Sequence, residues 1–136
     1  MISAVTLDRV RSTMQEFDIE LAPHEEVATA NLNGFPVTFA VLNTAVLIVR
    51  ADHSLEEPVA DGNPATFLAC NHFNAFNFQC KAVVMDRLEN LVVRTECELM
   101  VAAGMTDDQL RAALKEAVDN VLQAQEAITQ LVDSMS

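Results

Sequence analysis

The sequence has no tryptophan and no tyrosine, so seven phenylalanines carry all of its aromatic volume. It has only three glycines, and a phosphate-cradling loop needs several within one short stretch. GxGxxG, Walker, GxSxG and HExxH patterns are all missing. The three cysteines, Cys70, Cys80 and Cys97, are odd in number and share no CxxC spacing. They read as reduced, buried thiols in a reducing compartment. Basic residues are scarce, eight against twenty acids, for a net charge of −12. A surface that poor in cations opposes binding to nucleic-acid phosphates and to anionic membranes. No run of about 20 apolar residues exists to span a bilayer. The longest runs, such as Ala45 to Val49, are strand-sized. Met1-Ile2-Ser3 begins neither a basic nor an apolar leader, so a cytoplasmic location is expected.

What remains is ample for one folded domain. The 136 residues are 51% apolar, and a chain of that length buries roughly two-thirds of its unfolded surface. Leu7, Val10, Met14 and Phe17 recur at helical spacing, with Thr6 as cap and Asp8 in the first turn, predicting a helix over 7–17. Asp18 to Glu25, with Pro23, breaks the pattern. Strands are expected at 27–32 and 35–42, joined by Asn33-Gly34, whose residues suit the positive φ angles of a type I′ turn. Phe35, Val37, Phe39 and Val41 share one face of the second strand. Pro36 puts that strand at an edge or sits where no ladder bond is needed. After the weaker turn Asn43-Thr44, a third strand over 45–51 is apolar on both faces except at Arg50, hence central.

Asp52 to Asn63 reads as a polar loop containing Pro58 and Asp61-Gly62. Asn63-Pro64 suits a helix start, and the helix runs over 64–77. Strands follow at 79–86 and 91–101, joined through Arg87-Leu88-Glu89-Asn90. The second alternates, with Leu91, Val93, Thr95, Cys97 and Leu99 inward and Arg94, Glu96 and Glu98 outward. Thr106-Asp107-Asp108-Gln109 is a capping box opening a helix that runs nearly to the end. The fold class is α+β, a single domain over 1–136 with an antiparallel sheet of about five strands in the order α-β-β-β-α-β-β-α.

Candidate chemistry is thin. His24, His53 and His72 fall in different elements, and Cys70 and His72, two apart on a helix, point away from each other. No metal site, cofactor site or catalytic group is expected. The acid pairs Glu25-Glu26, Glu56-Glu57 and Asp107-Asp108 lack a visible buried partner, and the last suits a helix N-terminus. Phe67, Phe73, Phe76 and Phe78 read as core. Asn71 and Asn74 share a helix face as a candidate polar cleft, or as hydrogen-bond partners of a neighbouring strand's backbone. The last helix, about 28 residues and about 42 Å long, threatens to outrun its sheet. Val121, Ile128, Leu131 and Met135 on its apolar stripe are therefore the candidate interaction surface.

A short helix with Asn71 and Asn74 precedes a strand containing Ala82-Val83-Val84. Asp86 and Asn90 flank the next turn, and Gly104-Met105-Thr106 with Asp108-Gln109-Leu110 opens a long last helix. This order, with the Asn33-Gly34 meander, resembles the YbjN family of bacterial sensory transduction regulators across nearly the whole chain. The resemblance implies a fold like type III secretion chaperones, a cytoplasmic setting and no catalytic residues. Together these readings point to a non-enzymatic regulatory or chaperone-like protein that binds a protein or peptide partner, acts as a homodimer and binds neither nucleic acid nor membrane. The alternative is a small-ligand sensor using a pocket between sheet and helices.

Overall fold

The structure, a computed structural model, describes residues 1–58, 64–87 and 90–135, with side chains omitted at 56–58 and 86–87. The expected Asp61-Gly62 turn, the Asn63 cap, the turn at Leu88-Glu89 and the side chains of Glu56-Glu57 lie outside that description. Among the described residues there are three helices and six strands. In chain order they are α1 (Leu7–Gln15), β1 (Ala22–His24), β2 (Val27–Leu32), β3 (Phe35–Leu42), β4 (Val46–Pro58), α2 (Ala65–Phe76), β5 (Lys81–Arg87), β6 (Asn90–Met100) and α3 (Asp107–Met135). The strands form one antiparallel sheet in the order β1-β2-β3-β4-β6-β5. The chain meanders through β4, crosses by α2 to the far edge, and returns as β6 between β4 and β5.

Local chemistry sets the turns and helix starts. Asn33 and Gly34 both have positive φ, and Leu32 pairs with Phe35 across them. Thr6 Oγ1 accepts from the Arg9 N–H at 3.2 Å, capping α1. At α3 the capping box is complete: the Gln109 N–H donates to Thr106 Oγ1 (3.1 Å) and the Thr106 N–H donates to Gln109 Oε1 (2.9 Å). Arg9 ties the two helix starts together, donating to the Ser3, Ala4 and Met105 carbonyls and to Asp107. Gly104 is required beside this junction. Its φ is +81°, and a Cβ there would lie 2.7 Å from the Ser3 carbonyl oxygen.

Two expectations need correction, and one pair of alternatives is decided. The sheet has a sixth strand, β1, too short and too interrupted by Pro23 to show a period. Pro36 is not on an edge strand, because β3 pairs with both β2 and β4. Its ladder to β4 begins only at Val37, so the missing N–H falls where no bond is needed. The supposed loop from Asp52 is strand as far as Pro58. Asp52, His53 and Ser54 pair with Arg94, Val93 and Val92 of β6, a distant partner that stabilises polar residues in extended form.

All three helices pack on one sheet face, where Val37, Phe39, Leu47, Val49, Ala51, Val93 and Cys97 meet Val10 and Met14 of α1, Phe73 of α2 and the α3 stripe. The opposite face is open. It carries a charged band in which Arg94 grips Asp52 with two hydrogen bonds (2.8 and 3.0 Å), and Lys81 bridges Glu96 and Glu98 (3.5 Å each). The Asp52 hydrogen bonds hold Arg94 above its ordinary pKa, and Glu98 and then Glu96 do the same for Lys81.

Candidate functional site

The length of β4 decides the fate of the expected surface on α3. Thirteen strand residues span about 43 Å, which matches the 29 residues and about 44 Å of the helix. The sheet therefore runs beneath the helix past Ile128, and only the last turn, at Met135, is left open. Val121 and Ile128 are buried in the core and cannot meet a partner, so their place in the interaction surface is corrected. Leu131 packs partly against the core, and only Met135, 43% exposed, lies open. The structure does not bring the four together as one accessible patch.

Asn71 and Asn74 also divide. Asn71 is exposed on α2 and does not line the groove that Asn74 borders. The Asn74 side chain clamps the edge strand β5: its Nδ2 donates to the Ala82 carbonyl (2.8 Å), and its Oδ1 accepts from the Ala82 N–H (2.7 Å). Ala82 sits opposite Thr95, one step from the Lys81–Glu96 pair, so its N–H and C=O point away from β6. One side-chain amide thus imitates a neighbouring strand and blunts a free sheet edge.

The aromatic residues of α2 are the main departure from the sequence reading. Phe73 is buried, with Thr66, Ala69 and Cys70 on the same side. Phe76 is 71% exposed, Phe78 93%, and Phe67 and Leu68 about half, so three of the four phenylalanines read as core are not. The reason is coverage. The helix is apolar on nearly every side, but among the described residues its main packing is against β5 and α3. The His72 and Phe76 rings meet at 4.9 Å with their planes tilted by 51°, extending the exposed surface. At its foot, Asn74, Phe78, Lys81, Glu96 and Glu98 line an open groove of about 330 Å³. No sequence signal separates these rings from core rings, except that too many apolar residues circle one short helix.

The cysteine reading is corrected as well. Cys80 and Cys97 form a disulfide, with Cα atoms 4.8 Å apart. They occupy facing positions one step beyond the Lys81–Glu96 pair, a register that their spacing in sequence does not reveal. Cys70 remains a free thiol, and burial pushes its pKa up to about 11. His24, His53 and His72 lie on β1, β4 and α2, and among the described residues no three His, Cys, Asp or Glu side chains gather as a metal site. Asp107 bonds Arg9 at 3.0 Å, while Asp108 bonds Arg111. Glu25 and Glu26 are exposed at a turn.

One buried polar residue escaped the sequence reading. Gln125 is 1% exposed, inside the α3 stripe, and its Nε2 donates to the Ala51 and Val93 carbonyls (2.8 and 2.9 Å). It borders a cavity of about 190 Å³ between α3, β4 and β6. Its position, four after Val121 and three before Ile128, is the signal that could have found it.

A family model described as "YbjN: Putative bacterial sensory transduction regulator" matches residues 6–130. The crystal structure of YbjN from E. coli superposes with a TM-score of 0.69 at 15% identity, covering 97% of this chain and 92% of that one. The Yersinia pestis type III secretion chaperone SycH, crystallised in complex with a stable fragment of YscM2, superposes with a TM-score of 0.50 at 13% identity, covering 87% of this chain and 98% of its own. No curated protein matches the sequence. The α+β fold is thus shared with a type III secretion chaperone, and no helix among the described residues is long and apolar enough to cross a membrane. By the extent of the family match, the chain belongs to the YbjN family.

Proposed function

We propose that this protein is a non-enzymatic regulatory or chaperone-like module that holds a protein partner on the exposed face of α2, and that it works as a homodimer in the cytoplasm. The observation carrying this reading is the exposure of Phe67, Leu68, Phe76 and Phe78 along and just after α2, four large apolar side chains open to solvent in a strongly acidic chain. Exposed aromatic surface of that kind is a mark of partner binding. Glu96 and Glu98 beside Phe78 favour a partner segment that joins apolar residues to a basic one. SycH, of similar fold, is itself bound to a protein fragment, which supports the reading.

The dimer takes a different surface. Leu42 pairs with Val46, and Val46 with Met100, forming an uncharged row at one end of the open sheet face. Leu42 and Met100 are exposed. Copies that each carry −12 repel one another least across such a row. The charge also disfavours nucleic acid and anionic membranes as partners. A cytoplasmic setting draws on the regulator family. The Cys80–Cys97 disulfide opposes it, because cytosolic thiols are kept reduced.

Two double variants separate the surfaces. Leu42→Glu with Met100→Glu should convert a dimer to a monomer in light scattering. Phe76→Glu with Phe78→Glu should leave that mass unchanged and abolish binding of an immobilised peptide alternating Leu and Lys. Retained peptide binding in the second variant rejects the α2 site, and a monomeric wild type rejects the dimer.

A further inference from the structure

We propose that Cys80 is a modification site for a small-molecule thiol, which enters the crevice between the α2–β5 connection and α3, displaces Cys97 and stays on Cys80 as a mixed disulfide. The proposal is independent of the partner surface on α2, because it concerns only the two sulfurs and the way in to them.

Access separates the two cysteines. Both belong to the core on the sheet face that the helices cover, so their sulfurs are approached from the helix side. Cys97 lies under α3, with its Sγ 4.0 Å from the Ala117 carbonyl oxygen. Cys80 lines an open crevice of about 190 Å³, and Cys97 does not. Asn77, Gln79, Asn120 and Gln123 form much of the wall, and no charged side chain lines it. An incoming thiolate therefore meets no carboxylate at the entrance, although the chain as a whole is strongly acidic.

Strand register makes exchange at this place reversible. The ladder between β5 and β6 starts at Lys81 and Glu96, one step past the disulfide. Ala82 turns its N–H and C=O away from β6 towards Asn74, and Cys80, two residues earlier, turns its own the same way. The disulfide is thus what ties Cys80 to β6, and opening it breaks no ladder bond. The intact ladder beside it still holds Cys97 opposite Cys80, ready to close the bond again.

The exchange balances without an outside oxidant. The thiolate of the small molecule attacks Cys80 Sγ, a new S–S bond forms as the Cys80–Cys97 bond breaks, and the electron pair leaves on Cys97 Sγ. That sulfur takes a proton from water, and the Ala117 carbonyl is placed to accept its S–H. Attack by Cys97 on Cys80 reverses the step and releases the small thiol. Attack by a second small thiol on the outer sulfur instead leaves both cysteines reduced and joins the two small thiols as their own disulfide.

Single variants distinguish the sulfurs. In Cys97→Ser, cystine should place one cysteinyl group on Cys80, releasing one cysteine. In Cys80→Ser, the remaining Cys97 should react about tenfold more slowly, because thiol reactivity follows exposure. Cys70, buried in both variants, should stay unmodified. Ala127→Phe in the Cys97→Ser background narrows the crevice from a partly exposed helix position, and it should slow cysteinylation of Cys80 while the thermal midpoint is retained. Intact mass and peptide mapping read each result. If the serine variants do not fold, the oxidised wild type is treated with cysteine, quenched in acid and alkylated in denaturant. The adduct should then map to Cys80 and the alkyl group to Cys97. An adduct mainly on Cys97, no adduct on Cys80, or an unchanged rate in the Ala127→Phe protein would each overturn the proposal.

Discussion

Reducing the Cys80–Cys97 disulfide should lower the thermal midpoint by about 10 °C. The two residues are 17 apart in sequence, and cross-linking a loop of that size restricts the unfolded chain by about 3 kcal/mol in the chain-entropy account. A folded chain of 136 residues unfolds with an entropy of about 0.29 kcal/mol/K, which converts 3 kcal/mol into that shift. The bond joins the start of the edge strand β5 to its neighbour β6, so its loss should be felt first where the α2–β5 connection carries Phe78. The assay is circular dichroism melting at 222 nm with and without a phosphine reductant, with intact mass confirming the gain of two hydrogens. Cys70 serves as an internal control. With its pKa raised to about 11, roughly one thiol in a thousand is thiolate at pH 8, so it should alkylate slowly in the folded protein in either state. Equal midpoints for the oxidised and reduced protein would refute the reasoning, as would alkylation of Cys80 before any reductant is added.

Four further outcomes follow from the same structure. Thr106→Ala removes one half of the α3 capping box and should cost about 1 kcal/mol, seen as a fall of about 3 °C in the midpoint. Asn74→Ala uncovers the Ala82 N–H and C=O on the β5 edge. It should cost about 1–2 kcal/mol and raise the aggregation rate measured by light scattering at high protein concentration. Ile128→Glu places a carboxylate among fully buried apolar residues and should prevent folding, read as loss of a cooperative melt, whereas Met135→Glu should leave the midpoint within about 0.5 kcal/mol of wild type. The raised pKa of Cys70 means that the unfolded chain releases that proton first. Its contribution to stability is therefore full below pH 9 and is lost as pH rises towards 11, a loss that Cys70→Ala should abolish in a denaturation series across that window.

The features legible in the sequence are those whose physics is local. Thr6, Asn33-Gly34 and Thr106 with Gln109 each act on atoms within four residues, so their types and spacing suffice, and each does what the sequence predicts. The alternation of β6 was legible for the same reason: Leu91, Val93, Thr95 and Cys97 face the helices because successive residues of any strand face opposite ways. What escaped depends on partners far along the chain. Asp52 looks like loop until Arg94 stands opposite it with two hydrogen bonds. Cys80 and Cys97 look like separate thiols until a strand register sets them face to face.

The candidate sites escaped for a further reason, which is that burial belongs to the layer and not to the residue. Phe73 and Phe76 are the same amino acid three positions apart on one helix, yet one is core and the other is open. The difference is that α2 lies at the edge of the helical layer, against β5 and α3 on one side and nothing described on the other. Ile128 and Met135 divide in the same way along α3, because β4 continues far enough to cover the first and not the second. Gln125 inverts the case. It is a polar residue that the layer covers completely, and the two backbone carbonyls it satisfies are strand groups whose position no local pattern encodes. In each instance composition supplied the right amount of apolar and polar surface, and topology decided which of it a ligand or partner could reach. The surfaces available for recognition are therefore set by where β4 ends and where α2 lands, two long-range outcomes of one sheet.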